Sequence, residues 1–323
     1  MFDVIFFVDA LPETGFGHGA RCLILAQLIA ERRPEVSIVF RGLFSEGAIQ
    51  RLSSAWPGID LGPVNKNETA RLGVIDRMAD SMDMNATDKG FNQRVAATCD
   101  HVVYVASGVV APHMPDGVLV VGYQPGAQQP APNVLWSLDF APTNLAAPTH
   151  AREPDRLLIA LGGIKENSGL TKALTAAARV SAFKHIDVLL SPVIEETPDH
   201  VELRDDQNIA WHRNIPDVAP LIERAGMVLV SAGNLAYEAL ALGAPVCLIG
   251  QKPFQLDLAE GLAARNMAVN AGLLSEITVE ELVLSLEDTL GRSETLSALS
   301  AKQVPINGLP RLVETILAYG DLS

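Results

Sequence analysis

The feature that most constrains this 323-residue chain is a repeated alternation along its length. Short runs that are apolar at nearly every position take turns with stretches of helical periodicity. A strand that is apolar on both faces needs cover on both faces, which is the situation of parallel strands in an α/β sheet. Such strands are expected at residues 4–8, 36–40, 101–105 and 118–121, then at 156–161, 186–190, 208–211, 227–230 and 245–249. The clearest helices are expected at 20–31, 170–180, 235–242, 256–265 and 279–290. The pattern reads as an α/β chain with two Rossmann-like sheets. Its length also exceeds what one hydrophobic core ordinarily serves. Between Pro142 and Pro154 the chain is rich in proline and small residues and loses its periodicity, which marks a linker. An N-terminal domain over residues 1–145 and a C-terminal domain over 155–323 are therefore expected. The final helix, near residues 309–319, is expected to pack back on the first domain.

Charge and cysteine content exclude several classes. With 24 basic against 38 acidic residues the formal charge is −14, which repels nucleic acid and anionic membrane in general. A small anion can still bind where backbone N–H groups at a helix N-terminus supply local positive potential. The three cysteines, Cys22, Cys99 and Cys247, are scattered and form no CxxC, which suits reduced thiols and a cytoplasmic location. The first residues, Met1-Phe2-Asp3-Val4-Ile5, lack a basic leader and read as a buried strand instead of a signal peptide. No stretch is long and apolar enough to span a bilayer. His101, His113, His150, His185, His200 and His212 have no metal-ligand spacing, so no metal site and no cofactor are expected.

Three turns at strand ends carry the candidate chemistry. In the first, Asp9 closes a strand and Gly15-Phe16-Gly17-His18 opens an apolar helix. Glycines there let a ligand approach the backbone. The helix N-terminus disfavours an imidazolium, and a neutral His18 can take a proton as a general base. The bland alternative is a histidine that caps its helix. Its place just past the carboxyl end of a strand, where α/β proteins bind ligands, favours function. In the second turn Gly162-Gly163 follow a strand and can cradle a diphosphate; a simple tight turn is the alternative. In the third, Ser231-Ala232-Gly233-Asn234 lead into a helix bearing Glu238, whose carboxylate can accept both hydroxyls of a ribose. A surface glutamate answering the helix dipole is the competing reading. Gln255 starts the next helix and either meets a ligand or caps backbone.

Gly15, Gly17 and Ala20 also fit a dinucleotide fingerprint, but a nicotinamide site wants an acidic residue at the end of the second strand. That strand ends in Arg41, which disfavours a redox role and leaves only an NADP site open.

Taken together, the turns resemble the GT-B superfamily of nucleotide-sugar enzymes, two Rossmann-like domains facing across a cleft. The likeness spans most of residues 1–270. It is carried by Asp9 nine residues before His18, by Gly-Phe-Gly-His and the following Ala20-Arg21-Cys22, by Gly162-Gly163, by the run from Ser231 to Pro245, and by Gln255 with Ala259. Within the superfamily the chain most resembles the UDP-2,4-diacetamido-2,4,6-trideoxy-β-L-altropyranose hydrolases of pseudaminic acid biosynthesis and the related spore-coat polysaccharide proteins, and more distantly the MurG-type transferases. The resemblance implies metal-independent hydrolysis of a UDP-sugar at C1, with His18 activating water and Asp9 orienting groups beside it. Glu238 would then hold the ribose, Gly162, Gly163 and Asn234 the diphosphate, and Asn214-Ile215 the base. Glycosyl transfer to an acceptor other than water is the alternative. The chain departs from the hydrolase pattern at Phe7, at Ile164-Lys165, at Tyr104-Val105-Ala106 and at Trp136-Ser137-Leu138. The nucleotide half keeps the pattern better than the acceptor half.

Overall fold

The computed structural model describes residues 1–11, 16–77, 88–106, 114–125, 133–162, 167–190, 197–198 and 201–322. Gly15 and Gly163 lie outside the described residues, as do Ile164, Lys165, His113 and His200. The chain forms two compact units, one made of residues 1–142 and 307–323, the other of residues 143–306.

The first unit begins with β1 (Phe2–Phe7), α1 (Gly17–Arg32), β2 (Ile38–Arg41), α2 (Glu46–Ala55) and β3 (Asp60–Gly62). It continues with β4 (Ala70–Ile75), α3 (Asp88–Thr98), β5 (Cys99–Ala106), β6 (Val118–Gly122) and β7 (Val134–Trp136). All of its strand pairs are parallel, in the order β3-β2-β1-β4-β5-β6-β7. The second unit comprises β8 (Glu153–Ala160), α4 (Asn167–Arg179), β9 (His185–Leu189), β10 (Asn208–His212), α5 (Ala219–Arg224) and β11 (Ala225–Ser231). There follow α6 (Asn234–Ala241), β12 (Val246–Gly250), α7 (Phe254–Ala263), β13 (Val269–Leu273), α8 (Val279–Gly291) and α9 (Ser293–Gln303). Its strands are also parallel, ordered β10-β9-β8-β11-β12-β13.

The central strands are buried along nearly their whole length, with Val4, Phe6, Val103, Leu158, Leu229 and Leu248 fully out of solvent. This is why they read as unbroken apolar runs. In the second unit Leu157, Ile159, Ile186, Val188 and Leu229 pack with Leu174 and Ala177 of α4 and with Leu282 and Leu286 of α8. The start of α8 is fixed by a capping box. Thr278 Oγ1 accepts from the Glu281 N–H, and the Glu281 carboxylate accepts from the Thr278 N–H. Such a cap contributes about 1 kcal/mol.

The last helix, α10 (Gly308–Tyr319), belongs to the first unit. It buries Leu309, Leu312, Val313 and Ile316. Arg311 donates to Asp139, and Arg33 donates to the Leu322 carbonyl that follows the helix. Gly308 is required for this approach, since a Cβ there would sit 2.1 Å from the Ala141 carbonyl oxygen.

β4 lies beyond the expected strands. Arg71 and Gly73 interrupt its apolar run, so its periodicity is weak. Gly73 is there for packing: a Cβ would come within 2.9 Å of Cys99 Sγ on β5 and 3.3 Å of the Phe7 ring on β1. No helix among the described residues is long and apolar enough to cross a membrane.

Candidate functional site

In each sheet the strand order reverses direction once, between β1 and β4 in the first unit and between β8 and β11 in the second. The carboxyl ends of the strands on either side of such a reversal form the crevice in which open α/β sheets bind ligands. The sequence-selected turns fall at these two places.

In the first unit, His18 is the second residue of α1 and Asp76 follows directly on β4. His18 Nδ1 lies 2.8 Å from Asp76 Oδ1. Arg21, one turn along α1, donates from Nε to Asp76 Oδ2 and from its second terminal nitrogen to Asp76 Oδ1, both at 2.6 Å. Its remaining terminal nitrogen donates to the Tyr123 hydroxyl at 2.6 Å. Asp76 is fully buried and Arg21 is 3% exposed, whereas the His18 side chain keeps 11% of its surface. Burial works against the Asp76 charge, but Arg21 and then His18 outweigh it and hold the carboxyl well below the usual carboxylate range. An ionised carboxylate only accepts hydrogen bonds. His18 Nδ1 therefore carries the proton in this contact, and the lone pair of the neutral ring is on Nε2. The recorded ring partner of His18 Nδ1 at the start of α1 is thus Asp76, with Arg21 next to it at 3.1 Å. Cys22 Sγ also touches Asp76, and burial followed by that negative charge pushes its thiol well up.

Asp9 stands apart from this network. Its Oδ1 accepts from the Leu43 N–H at 2.8 Å and its Oδ2 accepts from Arg77. Arg77 in turn lies over the Phe91 ring of α3. Asp9 thus ties together the ends of β1, β2 and β4, while the carboxylate beside His18 is Asp76. Gly17 opens α1 at the surface. Arg41 is fully engaged by Glu68 and Asp60, and these contacts raise its pKa further. It is the brace of an edge strand, which removes the argument for a 2′-phosphate partner.

In the second unit, Gly162 follows β8, Ser231 ends β11 and Gln251 follows β12. The Gln251 side-chain amide donates to both the Gly162 carbonyl and the Ser231 hydroxyl, closing the strand ends on one another. Gly233 is the N-cap of α6 and makes no side-chain cap bond; Asn234 is the first helical residue. Glu238 lies one turn on, half-buried. Burial, followed by the nearby Asp217 charge, pushes its carboxyl up to about 7. Asp217 caps the start of α5 by accepting from the Ala219 N–H. Asn214, a non-glycine residue at φ +53°, and Ile215 lie on the path from the edge strand β10 to Asp217. Gln255 accepts through its side-chain oxygen from the N–H groups of Gln251 and Lys252, so it ties down the loop that leads into α7.

Asp76, Arg21, Tyr123 and Gln251 are the residues that sequence reasoning did not single out. One signal was readable for Arg21. It lies in the stripe of α1 formed with Cys22, Leu25, Ala26 and Ile29, and a charge in a buried stripe demands a partner. Among the described residues no group of three or more histidine, cysteine or carboxylate side chains is arranged to hold a metal ion.

The two units of parallel sheet and helix give the chain the GT-B fold. Its fold is similar to that of the spinosyn rhamnosyltransferase SpnG complexed with thymidine diphosphate, with a TM-score of 0.63 and 16% identity over 97% of this chain and 99% of that one. It is similar also to Acinetobacter baumannii MurG, with a TM-score of 0.66 and 12% identity over 98% and 99% of the two chains. In sequence, the chain is 27% identical over 135 residues to the spore coat polysaccharide biosynthesis protein SpsG of Bacillus subtilis (strain 168). That match covers 40% of this chain and 39% of SpsG. No family model matches the chain.

Proposed function

We propose that the protein transfers a sugar from a nucleotide-sugar donor to an acceptor hydroxyl, with His18 as general base. The carrying observation is the His18–Asp76 contact, which leaves Nε2 as the basic nitrogen at the carboxyl end of the first sheet. In the reaction, Nε2 takes the acceptor proton as the acceptor oxygen attacks the sugar C1. The bond from C1 to the phosphate oxygen breaks, and the nucleoside diphosphate leaves with its electron pair. Asp76 stabilises the imidazolium that forms, a role a buried carboxylate fills without taking the proton itself. Proton transfer of this kind contributes roughly 10²–10⁴-fold.

The second unit would hold the nucleotide, with Gly162, Ser231, Gly233 and Asn234 along the diphosphate, Glu238 on the ribose, and Asn214 and Ile215 by the base. The first unit would carry the base and the acceptor. SpnG supports transfer over the hydrolysis expected from the sequence, since it is named a rhamnosyltransferase and its complex contains thymidine diphosphate. SpsG, named for polysaccharide biosynthesis, supports a surface glycan as the destination of the sugar. A pyrimidine nucleoside diphosphate is the leaving group that both the sequence resemblance and the SpnG complex favour.

The test is nucleotide release from UDP- and TDP-sugars, measured with and without a pool of sugar and polyol acceptors. Release that depends on an acceptor is expected. Release at the same rate without acceptor returns the reading to hydrolysis, and no release from any donor sinks both.

A further inference from the structure

The geometry points to Arg21 as a positioning residue that decides which nitrogen of His18 is the base, by keeping Asp76 an acceptor. This rests on the reading of His18 as the base, and goes beyond it by assigning the control of that base to a residue that touches no substrate. Arg21 is buried inside α1 with both carboxylate oxygens of Asp76 on its fork and the Tyr123 hydroxyl on its third donor.

Consider Asp76 without Arg21. A fully buried carboxyl facing a thiol and an imidazole is pushed towards its neutral form by desolvation. A neutral carboxyl donates its proton, and the atom in line to accept it is His18 Nδ1, 2.8 Å away. His18 would then hold its own proton on Nε2, and the basic nitrogen would be turned into the helix. Arg21 prevents this with two charge-assisted bonds, which are the strong kind. Its terminal nitrogen is 3.1 Å from His18 Nδ1, and both nitrogens converge on Asp76 Oδ1. A lone pair on Nδ1 could accept from that Arg21 nitrogen, but it would then face the Asp76 carboxylate oxygen at the shorter distance of 2.8 Å, so an ionised Asp76 favours the proton on Nδ1. Tyr123, the residue directly after β6, completes the pocket by accepting from Arg21, and its ring lies against the guanidinium. The charged and titratable groups facing Asp76 among the described residues are thus His18, Arg21 and Cys22, with Tyr123 behind Arg21. The Asp9–Arg77 pair follows next along the strand ends.

The test is the tautomer of His18, read by long-range proton–nitrogen NMR on the full chain labelled at histidine, with His18→Gln identifying the signals. The kinetic constants of the same variants are read alongside. The wild type is expected to carry the proton on Nδ1. Arg21→Met is expected to move it to Nε2 and to lower kcat by about 10²-fold, with the donor KM close to the wild-type value. Arg21→Lys keeps the charge but not the fork, so it is expected to recover part of kcat and part of the Nδ1 form. A folded Arg21→Met that keeps both the Nδ1 proton and kcat overturns the inference. If Arg21→Met does not fold, Arg21→Lys decides: wild-type kcat and an unmixed Nδ1 form overturn it, and a loss of about 10-fold with both tautomers present supports it. If His18→Gln turns over as fast as the wild type, the underlying reading of His18 fails instead.

Discussion

Among the described residues, each unit holds a buried aspartate whose carboxylate meets one histidine and one arginine. In the first, Asp76 takes His18 and Arg21. In the second, Asp187 on β9 accepts from His212 at 2.7 Å and from Arg156 at 2.7 Å, and Glu153 and Arg224 extend the chain of charges. The residue types are the same and the distances nearly so. What differs is the position in the sheet. Asp76 follows a central strand at its carboxyl end, beside the reversal of strand order. Asp187 sits within β9, one strand from the sheet edge, opposite Leu158 and Ala210. The ring contact differs too. His18 binds its aspartate through Nδ1, and His212 binds through Nε2, which leaves the nitrogen next to its own backbone. Composition therefore does not make a general base. On the proposed reading, the same three residue types serve a base at a strand end in one unit and a brace on a sheet face in the other.

Substituting the two aspartates breaks this comparison most severely. Asp76→Asn is expected to cost activity by roughly 10²–10⁴-fold. Leaving Arg21 buried without its partner should also cost about 3–5 kcal/mol of stability. Asp187→Asn should cost about 1–3 kcal/mol and leave turnover near wild type. Nucleotide release measured well below each variant's melting temperature separates the two, and urea unfolding gives the stabilities. Equal losses of activity would end the distinction.

The legible and illegible parts of the sequence divide along physical lines. The α/β repeat was readable because strands covered on both faces have to be apolar at every position, as in Val102–Val105 or Val246–Ile249. His18 was readable because strand end, glycine and helix start are adjacent in sequence. Asp76 was not, since 58 residues separate it from His18 and its strand is broken by Arg71 and Gly73. Pairing at that separation is a property of strand order, which no local pattern encodes. Asp9 drew attention for the same local reasons as His18, and its partners Leu43 and Arg77 come from segments that no local pattern joins to it. Gln255 was marked only by its place at a helix start; its side-chain oxygen holds the N–H groups of Gln251 and Lys252 in the loop before α7.

Smaller effects sharpen the comparison. His212→Ala removes one hydrogen bond from a partly exposed site while Arg156 still holds Asp187. A loss of about 1 kcal/mol in urea unfolding is expected, with activity unchanged. Glu238 offers a dependence on pH. Its carboxyl is raised to about 7 in the fold against an ordinary value of 4.5. The folded state then holds a proton that the unfolded state releases, so stability falls as pH rises from about 4.5 to about 7. With its partial exposure discounted, the effect is on the order of 1 kcal/mol, and Glu238→Gln should abolish it. If Glu238 holds the ribose as proposed, the ribose hydroxyls donate to its ionised carboxylate. Affinity for UDP, measured by calorimetry, should therefore rise between pH 6 and pH 8 in the wild type and stay flat in Glu238→Gln.

The most direct test of the central claim compares His18→Gln with His212→Gln in one assay of acceptor-dependent nucleotide release. The ring is lost from one cluster or the other, and glutamine keeps a polar side chain in its place. His18→Gln is expected to lose at least about 10²-fold in kcat while His212→Gln stays near the wild-type rate. If His18→Gln releases nucleotide as fast as His212→Gln, the base is not at the first sheet's strand ends and the account is wrong.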